Sequence, residues 1–159
     1  MANPANETIS YPFSAFRFSI TISVPDFSSD PLCSAAFAEC DGLEMNMDVK
    51  TIREGGNNAA QIRLFGAVNY GTLTLKRGMT SNFDLWNWFE SLYEPDKATA
   101  RGDVTVTVYE ADGIKESVGF FLERCLPLKL KAPPLNAKEG VVAIEELQLA
   151  YEWLSRVRT

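Results

Sequence analysis

Carboxylates are the side chains of this sequence best suited to chemistry. Glu44 and Asp48 share one face of an alternating stretch, and Glu145 and Glu146 are adjacent. Two acids can serve as general acid and base, or as acid and nucleophile, when both converge on one bond. The rest of the sequence gives such a pair no support. There is no histidine, which removes the commonest general base, the commonest metal ligand and every Ser-His-Asp or Cys-His arrangement. Gly55-Gly56 lacks the following Lys-Ser/Thr of a phosphate loop. Cys33, Cys40 and Cys125 form an odd set without Cys-x-x-Cys spacing, which points to reduced, mostly buried thiols rather than a zinc site or a disulfide framework. Acids on the open face of a strand are ordinarily solvated, so no catalytic, metal-binding or cofactor-binding residue is assigned.

Three other groups invite a binding role. Trp86, Trp88 and Trp153 could stack on a ligand, but helical spacing already accounts for the first two as packing residues. Lys76-Arg77 ends a strand-like run, where an intersubunit salt bridge is favoured over an anion site. The segment Arg53-Glu54-Gly55-Gly56-Asn57-Asn58 is either a solvent-exposed loop or a contact. Its glycines allow positive φ or close backbone approach, and its polar side chains could pair across a subunit boundary.

These residues must be positioned by strands. Phe16, Phe18, Ile20, Ile22 and Val24 alternate with Arg17, Ser19, Thr21 and Ser23, a period-2 strand that Pro25 and the Ser28-Ser29-Asp30-Pro31 cluster terminate. A second strand is expected from Phe37, with Gly42 as a candidate β-bulge. Beyond it Leu43, Met45, Met47 and Val49 oppose Glu44, Asn46, Asp48 and Lys50. After the 53–60 loop an extended pattern resumes at Gln61–Phe65. Gly66 and Asn69 interrupt it before Tyr70–Lys76, so the two arms read as a long hairpin. Capping oxygens at Thr80, Ser81 and Asn82 precede Leu85, Trp86, Trp88, Phe89, Leu92 and Tyr93 at helical spacing, and Pro95 closes this helix. It is expected to pack on a sheet through Leu85, Phe89 and Leu92. Further strands are expected at Val104–Tyr109, at Val118–Leu122 and from Val141 to Trp153, with an irregular or edge segment around Pro127, Pro133 and Pro134. About seven strands and one helix, without the helical crossovers of a parallel sheet, imply a mainly β chain. The architecture expected is an antiparallel β-sandwich or barrel with one flanking α-helix.

Composition bounds the function classes. The 159 residues fit one domain, 1–159, and 46% hydrophobic with 23% charged residues is ordinary for a folded protein. A net charge of −6 argues against a dedicated nucleic-acid or anionic-membrane site. No apolar run reaches the roughly 18 residues of a spanning helix, and Met1–Glu7 lacks the basic and apolar regions of a signal peptide. The expectation is cytoplasmic assembly, or release outside the general secretory route.

Taken as an ordered series, Phe37 to Gly42-Leu43, Arg53 to Asn58, Tyr70-Gly71-Thr72-Leu73-Thr74-Leu75-Lys76-Arg77-Gly78, Leu85-Trp86-Trp88 and Val142-Ala143-Ile144-Glu145 resemble the tail tube protein family of contractile-tailed phages, together with the inner-tube proteins of phage-like contractile injection systems. The resemblance runs from about Phe13 to Trp153. It implies a structural, non-enzymatic subunit without cofactors. Six copies would form a ring, and rings would stack into a hollow tube inside a contractile sheath, meeting baseplate, spike and tube-capping proteins. Protein cargo or DNA would pass through the lumen of a phage tail or of an injection particle, released or membrane-anchored. Closure into a ring would use up edge strands.

On that resemblance, Arg53, Glu54, Gly55, Gly56, Asn57, Asn58, Lys76 and Arg77 are candidate subunit or ring contacts, and Glu44, Asn46, Asp48, Thr105 and Thr107 are candidate lumen-lining residues. Leu64-Phe65-Gly66 departs from a Leu-Pro-Gly that family members often carry, and the Asp26–Ser34 loop and the tail after Trp153 look individual. Two other readings stand beside the main tube subunit. One is a paralogue that starts the tube at the baseplate; the other is a monomeric β-barrel that holds a small ligand against its tryptophans.

Overall fold

The computed structural model describes residues 16–35, 37–56, 59–96 and 99–157. Among these, ten strands and one helix occur: β1 (Phe18–Ser23), β2 (Cys33–Ala35), β3 (Glu39–Asp41), β4 (Met45–Ile52), β5 (Ile62–Tyr70), β6 (Thr72–Gly78), α1 (Asp84–Ser91), β7 (Gly102–Tyr109), β8 (Glu116–Lys131), β9 (Ile144–Ala150) and β10 (Trp153–Val157). Every pairing among them is antiparallel. Eight strands follow the order β2-β1-β7-β8-β9-β6-β3, with β10 also on β8, and the path does not close into a barrel.

The alternation in β1, β6, β7 and β9 explains the core. Ile20, Ile22 and Val24 with Val104 and Val106 come from one end of the path, and Leu73 and Leu75 with Leu147 and Leu149 from the other. All are buried, each strand turning one apolar face inward as period 2 requires. The two ends therefore cover each other as a sandwich.

β8 joins them. It is one 16-residue strand, where the sequence predicted a short strand and then an irregular segment. Its first part pairs with β7 and β10, its last part with β9. The change of partner centres on Arg124, a non-glycine residue at φ 55° whose N–H donates to Asp103 Oδ1 at 3.1 Å. Pro127 fits because β8 there pairs with β9 alone, which leaves an edge for a residue without an N–H. β9 and β10 run in line beside β8, broken at Tyr151-Glu152, so the expected last strand is two and continues past Trp153 to Val157.

Helix α1 starts where Asn82 Oδ1 accepts from the Asp84 N–H at 2.7 Å. Its inward residues are Leu85, Trp88 and Ser91. The expected contacts are corrected here: Leu85 holds, but Phe89 and Leu92 are half-buried, and the central residue is Trp88, at 0% exposure. Trp88 Nε1 donates to the Ala100 carbonyl at 3.3 Å, and the ring sits over Gly102, where a Cβ would come within 3.4 Å of it. Trp88→Phe is expected to lower unfolding free energy by about 2 kcal/mol, from lost volume and a lost hydrogen bond, read from urea denaturation. Phe89→Ala should cost less than a full core truncation; an order reversed between the two variants would move the anchor back to Phe89.

Candidate assembly interface

Between Asp41 and Thr72 the described chain leaves the eight-stranded path, with Leu43 and Tyr70 at its base still packed against the core. Gly42 has φ +95°, and a side chain there would fall on the Thr72 carbonyl. It is the point where the chain quits β3 for β4, not a bulge within one strand. β4 and β5 then pair only with each other, a separate two-stranded ribbon. The bulge is farther out. Register shifts between Met47 and Val49, and Gly66 lies against Asp48, with a Cβ placed only 2.6 Å from the Asp48 carbonyl. Leu64-Phe65-Gly66 is thus part of a strand, not a turn.

Cross-strand partners share a face, so the register sorts the ribbon's side chains. Met45 lies opposite Tyr70, Met47 opposite Val68 and Val49 opposite Phe65. This face is apolar and open to solvent: Met45 is 61% and Phe65 89% exposed, and every residue of β4 is exposed. The other face holds Asn46, Asp48 and Asn69 nearer the core, with Lys50 opposite Leu64 and Ile52 opposite Ile62 toward the tip. Asn69 Nδ2 donates to Asp48 Oδ2 at 2.9 Å. The sequence shows this alternation but not that, beyond Tyr70 at the base, which packs against the core, both faces stay open. A lone ribbon is marginal in water, and a patch of large apolar side chains this exposed marks an interaction surface.

At the ribbon's tip, Arg53, Glu54, Gly55 and Gly56 are all exposed, with Gly56 at φ +95° and open space around both glycines. Asn57 and Asn58 lie outside the described residues. Glu44, Asn46 and Asp48 belong to the ribbon or its base, whereas Thr105 and Thr107 lie on β7, in the other part of the fold. Thr105 is exposed and Thr107 half-buried.

The Lys76-Arg77 expectation needs correction. Arg77 and Glu145, each 3% exposed, face each other across β6 and β9, and Arg77 Nε donates to Glu145 Oε1. Arg77 Nη1 also lies 3.0 Å from Cys33 Sγ, and its guanidinium faces the Phe37 ring at 5.9 Å. The ion pair is internal to the subunit, because β6 continues its buried phase from Leu73 and Leu75 into Arg77. Lys76 points the other way and meets Glu39 at 2.6 Å. Hydrogen bonding and charge from Glu39 raise its pKa above the ordinary lysine value.

The adjacent acids Glu145 and Glu146 also separate. Glu145 is held by Arg77, while Glu146 accepts from Gln148 at 2.8 Å on the opposite face, as neighbours in a strand must. Cys33 and Cys125 are buried and Cys40 is half-buried; burial, then Asp41, pushes Cys40 up to about 11, and burial, then Asp103, pushes Cys125 up to about 12. A groove of about 470 Å³ lies along the 133–144 segment, lined by Pro133, Leu135, Val141 and Val142 among others, without a tryptophan.

The fold is an open antiparallel sandwich with one flanking helix and a projecting ribbon whose apolar face is exposed. Residues 14–155 match the family described as T4-like virus tail tube protein gp19, and the chain belongs to that family. It is a family of structural tail tube proteins rather than enzymes. No curated protein sequence matches the chain. Among solved structures, a chain of the anti-feeding prophage baseplate is 24% identical with a TM-score of 0.82, over 94% of this chain and 98% of that one. A chain of the anti-feeding prophage tube-terminating cap is 19% identical with a TM-score of 0.79, over 100% of both. One from the sheath–tube complex of the PVC extracellular contractile injection system, in its extended state, is 17% identical with a TM-score of 0.78, over 100% of both. These likenesses show a shared fold.

Proposed function

We propose that this protein is a structural subunit of the hollow inner tube of a contractile injection system or phage tail. Six copies form a ring, and the rings stack within a sheath whose contraction drives the tube forward with protein cargo or DNA in its lumen. The observation that carries this reading is the β4–β5 ribbon, which leaves its apolar face uncovered in the single subunit. Joined edge to edge around a ring, such ribbons lose their free edges and bury that face together. The polar face with Asn46 and Asp48, and with Glu44 at its base, then turns to the lumen, where unsticky side chains let cargo slide. Thr105 and Thr107, away from the ribbon, are the weaker lumen candidates.

The particle is assembled in the cytoplasm, and baseplate, sheath and cap proteins are the tube's partners; similar folds occur in chains of such complexes. Negative-stain imaging of purified protein tests the reading. Six-membered rings or stacked tubes are expected, whereas uniform small monomers would favour a ligand-binding barrel. A second reading, a ring-forming paralogue at the baseplate, is favoured by the greater likeness to the baseplate chain than to the sheath–tube chain. Such a protein would make rings without long tubes.

The tip supplies a further prediction. Free, its glycines leave the backbone mobile, and ordering it costs about 1–2 kcal/mol per residue. Charge-assisted bonds from Arg53 and Glu54 to a neighbour offset that cost in the stacked tube. Replacing Arg53 and Glu54 together with alanine is expected to leave the subunit's melting temperature unchanged and to slow tube growth. Growth at the wild-type rate and to wild-type length would remove the tip from stacking.

A further inference from the structure

Resting on the tube reading, one cluster explains how the ribbon could be aimed before any partner arrives. Tyr151 occupies the break between β9 and β10, buried, 5.6 Å ring to ring from Tyr70 at the end of β5. Trp153 lies 6.4 Å from Tyr70 on the same side. The Tyr151 hydroxyl accepts from the Glu44 N–H at 3.1 Å and has two carbonyls within donating reach, Gly42 at 2.7 Å and Glu44 at 3.0 Å. The Gly71 N–H donates to that same Glu44 carbonyl at 3.3 Å. Both chain segments entering and leaving the ribbon are therefore tied to one hydroxyl on the core. Two glycines allow the approach: a side chain at Gly42 would strike the Thr72 carbonyl, and one at Gly71 would strike the Glu44 side chain. Burial also raises the Tyr151 pKa above the ordinary tyrosine value.

We propose that Tyr151 is a positioning residue for assembly: its hydroxyl, seated between Gly42 and Glu44, fixes the angle at which the ribbon leaves the core and so pre-aims the Met45–Met47–Val49 face at a second copy of this chain. A ribbon already at the bound angle loses less freedom on association than one that swings. Phenylalanine keeps the ring packing and removes only the hydroxyl, leaving the Glu44 N–H and Gly42 carbonyl without it.

The test compares Tyr151→Phe with Tyr109→Phe. Tyr109 is a control because its hydroxyl bonds Ser19 at 3.1 Å, away from the ribbon. In the full-length subunit held dilute, Tyr151→Phe is expected to speed hydrogen exchange of the β4 and β5 amides about tenfold and to raise the concentration needed for rings about tenfold, the scale of one lost hydrogen bond. Tyr109→Phe should do neither while lowering the melting temperature similarly. Unchanged ribbon exchange in Tyr151→Phe overturns the clamp. Ring formation at the wild-type concentration, or equal impairment by Tyr109→Phe, overturns its role in assembly. If the wild-type protein forms no rings, the tube reading falls, and the exchange measurement still decides the clamp.

Discussion

Glu145→Ala is expected to destabilise the folded subunit by about 3–5 kcal/mol, the range for removing one partner of a buried ion pair. The cause is the group left behind. Arg77 would keep its charge in the interior with the Cys33 sulfur and the Phe37 ring as its near neighbours, and its Nη2 is buried and has no hydrogen-bond partner among the described residues. Neither sulfur nor ring replaces a carboxylate. Replacing both members by apolar residues of similar size, Arg77→Met with Glu145→Leu, should be much milder, because no charge then remains to desolvate. Urea denaturation of the three proteins in dilute, unassembled form measures this. A single variant that loses less than about 1 kcal/mol, the scale of an exposed pair, would show that water reaches Arg77 and that the pair is not closed off.

That pair also shows where the sequence was legible and where it was not. Leu73, Leu75 and Arg77 share one phase of β6, and Glu145, Leu147 and Leu149 share one phase of β9. Each strand was readable alone, and the phase of Arg77 already turned it inward. What local pattern could not supply was the register that sets Arg77 opposite Glu145, since it joins residues 68 positions apart. Helix α1 failed differently. Its stripe of Leu85, Trp86, Trp88, Phe89 and Leu92 is broader than the face a short helix buries, so spacing alone does not choose between Trp88 and Phe89. In β8, Arg124 in the left-handed region and Pro127 both look like strand breaks. They are tolerated because the strand changes partners at the one and has a single partner at the other.

The ribbon was legible as a hairpin, with its tip as a candidate contact, but its uncovered apolar face was not, for a physical reason: alternation shows that two faces differ, not what covers them. Exchanging the cross-strand pair Met47 and Val68 for Glu and Lys tests what does. Both side chains are exposed in the single subunit, so the subunit's melting temperature should be nearly unchanged. The new pair, directly opposite and of opposite charge, supports the ribbon's own pairing. Assembly is another matter. Fully burying one large apolar side chain is worth about 1.5–3 kcal/mol, and a ring would lose two at each contact and add the desolvation of two charges. If the proposed rings form, the concentration they need should rise at least about 100-fold, the equivalent of about 3 kcal/mol per contact, and sedimentation should show monomers at concentrations where wild-type rings are expected. Asn46→Ala with Asp48→Ala alters the opposite face and, if that face lines the lumen, should leave rings intact. Rings from the Met47→Glu, Val68→Lys protein at the wild-type concentration would show that the apolar face stays in water. Edge hydrogen bonds alone would then have to hold neighbouring subunits together in the proposed tube, a weaker basis for a rigid assembly.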